Sequence, residues 1–252
     1  GVRLVGSEMC IRDRSGAPEV IDTQATYAFE EAKRVSVGRT YGEMTLGLIV
    51  TTLVALFTQS GNFWLRFMFA TRGWGWIMLA IAQVVIAVVL GTRLMKMSET
   101  TVRVLFYAYA ALTGFTLSSV FQVFSLGSVA LVFALTAGFF LCLTMLALTT
   151  KKDLLKAGPI LMVALLVFVV AQIIISFIGQ DTGTMRLMAG IGIVIFAGLT
   201  AYDAQQTRAL LAQYENQPEM VKKVSIFCAF QLFLDFINMF IYLLELLGDN
   251  RD

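Results

Sequence analysis

Seven apolar runs, over residues 42–60, 74–92, 104–124, 129–150, 158–178, 187–202 and 224–247, dominate the chain. A membrane span needs ~20 mostly apolar residues. A backbone in hydrocarbon must also satisfy its own polar groups, so such runs are helices; a barrel would show alternation instead. Composition agrees: 58% of residues are apolar and 14% charged, against about 25% charged in soluble domains. Mean hydropathy is +0.79. The connections are too short to hold a domain, and no repeat is evident. The expected fold is an all-α integral membrane protein, a seven-transmembrane-helix bundle with span seven central. Residues 1–40 read as a cytoplasmic N-terminal segment, 41–248 as the membrane domain, and 249–252 as a short external tail. Pro159 opens the fifth run in its first turn, where a missing N–H costs nothing.

The stretch 1–14 has no helical period and no apolar core of a signal peptide. It resembles translated adapter sequence and is expected not to be native. Orientation follows from Lys and Arg, which concentrate on the cytoplasmic side of a membrane protein. Of 19 such residues, only Arg66, Arg72, Arg186 and Arg251 fall on the side away from the N-terminus. The N-terminus is therefore expected in the cytoplasm and the C-terminus outside.

The chain has no histidine. Ser-His-Asp and Cys-His catalysis and imidazole metal sites are thereby excluded, and no enzyme is expected. Cys10, Cys142 and Cys228 are odd in number and imply no disulfide framework. A net charge of +2 argues against nucleic acid as a partner. The bilayer is the partner the sequence does imply; nothing points to a tightly bound cofactor.

Span seven carries the sharpest polar signal. Gln231, Asp235, Asn238, Tyr242 and Glu245 are spaced by 4, 3, 4 and 3 residues, one stripe of a helix. Such a stripe faces the bundle interior or a water-filled path. Asp235 lies near mid-span, where a charge costs ~2.5–3.5 kcal/mol and marks a functional position by default. The alternative is polar glue between helices, worth about 0.6 kcal/mol. Glu245 reads as a solvated mouth residue. The sixth run has only 16 residues, or ~24 Å of helix, against ~30 Å of hydrocarbon. The helix must continue through Asp203. Small residues (Ala189, Gly190, Gly192, Ala197, Gly198, Ala201) let this helix pack closely and bring Asp203 toward Asp235. Arg93 ends span two on the same side. It either neutralises one carboxylate or snorkels to the headgroups. Gln83 is mid-span. Thr113, Thr116, Ser118 and Ser119 are expected to bond to backbone.

Ala-Gly-Leu-Thr-Ala-Tyr-Asp-Ala-Gln at 197–205 and Phe-Leu-Asp-Phe-Ile-Asn at 233–238 resemble the signature segments of the Bax inhibitor-1 family, in its bacterial branch. Arg39-Thr40-Tyr41 and Ala-Leu-Thr-Gly-Phe-Thr-Leu-Ser at 111–118 fit as well, and the resemblance covers roughly 30–248. It implies seven helices in the bacterial inner membrane and a pH-sensitive, low-affinity calcium leak, with Ca²⁺ and protons as partners. The family's paired aspartates map onto Asp203 and Asp235 as proton sensor and gate, and its span-two arginine onto Arg93. Some relatives also carry a span-two glutamate; span two here has none. Two carboxylates held close in low dielectric cannot both ionise, so they share a proton and titrate as a pair. With Asn238 and waters they would make a weak Ca²⁺ site, suited to passage rather than storage. An aspartyl intramembrane protease is disfavoured: its second motif needs Gly-x-Gly-Asp, but Phe233 and Leu234 precede Asp235. A retinal protein needs a lysine in span seven, and none is there. A proton-coupled transporter and a non-channel regulator of membrane-protein quality control remain as alternatives.

The charge asymmetry has a direct readout. A reporter fused after Asp252 is expected to report an external C-terminus; a cytoplasmic signal there would overturn the orientation.

Overall fold

Helix follows helix from Thr23 to Leu247 in the computed structural model, which describes residues 9–12, 18–21, 23–150, 152–179 and 181–249. Ahead of them, β1 (Met9–Arg12) pairs antiparallel with β2 (Pro18–Ile21); the rest of the segment 1–14 lies outside the described residues. The helices are α1 (Thr23–Ser60), α2 (Phe63–Ala70), α3 (Gly75–Arg93), α4 (Glu99–Leu117), α5 (Val120–Val123), α6 (Leu126–Thr149), α7 (Gly158–Ile178), α8 (Thr182–Gln213) and α9 (Pro218–Leu247). Among the described residues, seven stretches are long and apolar enough to cross a membrane; the first runs from Ser36 to Ser60 and the third joins α4 to α5. The boundary expected at 40/41 falls inside α1, which is unbroken there.

Local chemistry sets the helix ends. Ser98 and Ser125 cap α4 and α6 by accepting hydrogen bonds from the amides of Thr101 and Ser128, satisfying donors that the helix itself leaves free. Asp181 does the same for α8 through Gly183 N–H and also accepts from the Thr184 hydroxyl. The Thr184 bond holds the Asp181 carboxyl below its ordinary value. Proline stands in the first turn of both α7 and α9. α8 does continue past residue 202, to Gln213.

α9 occupies the middle of the bundle, with α8, α1, α6 and α4 packed around it. In its most apolar stretch 72% of residues are buried, against 6% for α7, which faces lipid. Aromatic rings fill the centre: Phe106 meets Phe230 and Phe233 edge-on, and Phe236 meets Phe133 and Phe140 the same way.

Lipid is as apolar as leucine, so helices associate in it through close packing and hydrogen bonds rather than a hydrophobic drive. The α1–α4 contact shows both. The Thr51 hydroxyl donates to the Ala110 carbonyl at 2.9 Å. A Cβ on Gly114 would stand 3.0 Å from the Thr51 Cα and closer still to its carbonyl oxygen. Backbone cannot yield as a side chain can. Gly114→Val is therefore expected to cost about 1–3 kcal/mol of stability, the usual range for overpacking. A thermal melt in detergent would read this as a lowered midpoint; an unchanged midpoint would contradict the close approach of α1 and α4.

Candidate functional site

α8 and α9 run antiparallel through the short turn at 214–217 and pack closely along their length, and residue 203 lies beside residue 235. Asp203 is 9% exposed and Asp235 4%. Their side chains are in hydrogen-bonding contact with each other. No Lys or Arg forms an ion pair with either among the described residues. No hydroxyl, amide or guanidinium donor reaches Asp235 Oδ2. Two adjoining buried carboxylates without a counter-cation cannot both be ionised.

The surroundings are graded. One turn toward the α8–α9 turn, Thr207 lies in hydrogen-bonding contact with the Cys228 thiol, which also lies near Asp203. Leu211, Val224 and Cys228 form an apolar plug there, with Val37 and Tyr214 against it. On the opposite side, Phe196, Leu199 and Met239 form a second plug. The pair thus sits in a polar layer between two apolar ones. Of the surrounding helices, Tyr41 and Thr144 are in hydrogen-bonding contact with each other, while Gln206 Oε1 and Ser225 Oγ are buried without a hydrogen-bond partner among the described residues. Buried polar groups are nearly always satisfied, by ordered water where protein does not serve.

The remaining stripe residues fall out differently. Asn238 is half-buried, and its Nδ2 donates to the Leu234 carbonyl of its own helix at 2.8 Å. Tyr242 is wedged between the Phe168 and Phe196 rings, over Gly192, in hydrogen-bonding contact with Gln172. Its ring closes the stripe at that level. Gln231 and Glu245 are half-buried. Cys228 is buried and Cys142 exposed. Gln83 Nε2 donates to the Thr113 hydroxyl at 3.1 Å, while Thr116, Ser118 and Ser119 bond to backbone carbonyls of their own helix region.

Arg93 requires a correction as counter-charge. Leu90 and Leu94, one turn apart, take the inward face at this end of α3 and join the core. That turns Arg93 outward, where it is exposed and in no ion pair among the described residues. At the C-terminal end of α3 it suits the helix dipole instead. The weak Ca²⁺ site read onto Asp203 and Asp235 has two carboxylates. The described residues contain no group of three or more metal-ligating His, Cys, Asp or Glu side chains.

One charged cluster escaped the sequence reading. Glu43 is buried in α1 at 8% exposure. Its Oε1 accepts from Arg103 Nη2 at 2.9 Å and its Oε2 from the Tyr107 hydroxyl at 2.6 Å. Arg103 also reaches Glu99 at 3.0 Å, Glu99 accepts from Arg39 at 2.9 Å, and Lys222 of α9 approaches Glu99 at 3.8 Å. The network ties α1, α4 and α9 together. Its signal was present as Arg39/Glu43 and Glu99/Arg103, each four residues apart, hidden by proximity to the expected span ends.

Among the described residues, seven stretches apolar enough to cross a bilayer, with one of them, α9, at the centre and carrying one of two adjoining buried aspartates, define the class: an integral membrane protein with a paired-carboxylate centre. Residues 33–252 match the family described as Inhibitor of apoptosis-promoting Bax1. The chain is 37% identical to inner membrane protein YbhL of Escherichia coli (strain K12) over 216 residues, 85% of this chain and 92% of that protein. It is 32% identical to a protein of Borreliella burgdorferi over 220 residues, 87% of this chain and 94% of the relative. A Deinococcus radiodurans protein is 35% identical over 219 residues, covering 87% and 92% of the two chains. The chain belongs to the Bax inhibitor-1 family.

The Glu43–Arg103 contact is open to a double-mutant cycle with Glu43→Gln and Arg103→Met. With the carboxylate buried but the Arg103 side chain 36% exposed, the pair is expected to show coupling of about 1 kcal/mol in detergent melts, since contacting charges are not additive. Additive effects would show that the two charges are screened from each other.

Proposed function

We propose that this chain is a cation leak of the bacterial inner membrane, in which Ca²⁺ passes along the α8–α9 interface and the shared proton of Asp203 and Asp235 gates it. The observation that carries this reading is the pair itself: two buried carboxylates in contact, with no cation beside them. A structural role would be served better by apolar residues, because buried charge is costly unless compensated. The inner-membrane location is supported by the name of the Escherichia coli relative. The N-terminus is placed in the cytoplasm on the charge asymmetry of the loops.

The sign of the pH response follows from the charges. With Arg93 turned outward, no fixed cation waits for the ionised pair. As pH rises, the pair passes from one shared proton to none. The two negative charges then repel across α8 and α9 and together attract a divalent cation. Two carboxylates supply only part of the six to eight oxygens that Ca²⁺ takes, so binding is weak and the ion moves on. The apolar plugs on either side and the Tyr242 ring hold the path shut while the pair keeps its proton. The role asks for no covalent step.

Purified protein in liposomes with an internal Ca²⁺ dye tests this. Flux is expected to rise with pH. Asp235→Asn keeps size and hydrogen bonding but removes the titrating charge. It is expected to flatten the pH profile and lower flux at the alkaline end about tenfold, equivalent to about 1.4 kcal/mol. Asp203→Asn is expected to act alike, and the double variant to be little worse than either single one, because the pair acts as a unit. Unchanged profiles in both single variants, folded and inserted, would make the carboxylates structural. Proton movement locked to Ca²⁺ in fixed ratio would mark a coupled transporter instead.

A further inference from the structure

Away from the α8–α9 interface, at the end of the bundle opposite the Arg39–Glu99 network, α2 lies between the first two spans. None of its residues is buried, yet it is almost wholly apolar: Phe63, Trp64, Leu65, Phe67, Met68 and Phe69 with a single charge, Arg66. Left-handed residues bracket it, Asn62 at φ 51° before and Arg72 at φ 52° after, with Gly73 at φ 86°, so the chain turns sharply into and out of the helix. Trp64 and Phe67 rest against Phe115 of α4 at ring distances of 5.8 and 5.3 Å. Phe115 lies two residues short of Leu117, where α4 ends. α2 therefore packs beside the end of that helix, the level at which a span meets the headgroups.

A groove of about 580 Å³ runs between α2 and the end of α1, walled by Val54, Phe57, Phe63, Phe67 and Phe115, with Arg66 at its rim. The Arg66 guanidinium lies over the Phe63 ring, 6.0 Å from its centroid. No carboxylate pairs with it among the described residues. A stem that reaches an apolar trough and a free cation at headgroup level suit one kind of occupant. We propose that this groove binds an anionic phospholipid, its acyl chain along Phe57 and Phe67 and its phosphate on Arg66. Arginine is suited to phosphate because its planar fork donates two parallel hydrogen bonds.

The chain reports on this site by itself, since its three tryptophans are Trp64, Trp74 and Trp76. The whole protein is reconstituted in nanodiscs of neutral phosphatidylcholine. Brominated phosphatidylglycerol or brominated phosphatidylcholine is then titrated in while tryptophan fluorescence is followed. The brominated anionic lipid is expected to quench at about fivefold lower mole fraction, the equivalent of about 1 kcal/mol for one cation at a charged surface. Arg66→Gln, a change at an exposed side chain, is expected to abolish that preference while leaving quenching by the neutral lipid in place. Equal quenching by both lipids in the unaltered protein would reduce the groove to ordinary boundary lipid and overturn the proposal. So would a preference that survives Arg66→Gln. A tryptophan signal that neither lipid quenches would show the groove to be covered by protein. None of these outcomes touches Asp203 or Asp235, so the lipid site and the leak stand or fall separately.

Discussion

A helix surrounded on all sides by other helices has no lipid against it, and α9 is such a helix. Everything else in the bundle is arranged by what its faces require. Its aromatic face, Phe230, Phe233, Phe236 and Phe240, calls for rings and small residues on α4 and α6, which supply Phe106, Phe133 and Phe140. Its other face holds Asp235, and a carboxylate this deeply buried needs a partner that can hold a proton. Asp203 on α8 is that partner. The small residues of α8 meet large ones elsewhere: Gly192 lies under the Tyr242 ring and Gly198 against Leu161 of α7. The long α8 is thereby held between α7 and α9, with Asp203 fixed at the central helix.

The sequence was most legible where one physical rule left a single solution. Apolar runs in hydrocarbon must be helices, and seven long apolar helical stretches are what the described residues form. The continuation of α8 through residue 203 was legible for the same reason: a run too short for the bilayer has to extend. The stripe on α9 was legible as a face, but a face does not say what it meets. Tyr242 reads from sequence as one more polar residue on a path; in the fold its ring fills the space over Gly192. Asn238 turns its amide back to its own backbone. Spacing fixes which residues share a side, and only the neighbouring helix fixes whether that side is open.

Arg93 and Glu43 mark the limit from two directions. Arg93 ends a span at the right depth to reach a carboxylate, but depth says nothing of rotation. Leu90 and Leu94 carry more apolar surface than an arginine stem and claim the inward face. Glu43 was masked by the opposite problem. Placed at the start of an apolar run, it reads as a headgroup-level residue. Its burial becomes tolerable only because Arg103 and the Tyr107 hydroxyl arrive from α4, some 60 residues away in the chain. Long-range compensation of that kind has no local signature.

These two positions bear on the aspartate pair together. Three cations near the N-terminal end of α9 are engaged: Arg39 and Arg103 on Glu99 and Glu43, and Lys222 on Glu99 and Glu219. Arg93, which is not engaged, faces away. The bundle therefore compensates the carboxylates at that end with fixed cations, and leaves the two at its centre with none. A protein that needed those aspartates only for packing could have used asparagine, which keeps the hydrogen bond and needs no proton. Carboxylates without a fixed partner keep the option of a mobile one. The layer that holds them is closed on both sides by apolar clusters. Fixed charge compensation at one end of α9 and its absence at the centre is the contrast on which the proposed leak rests.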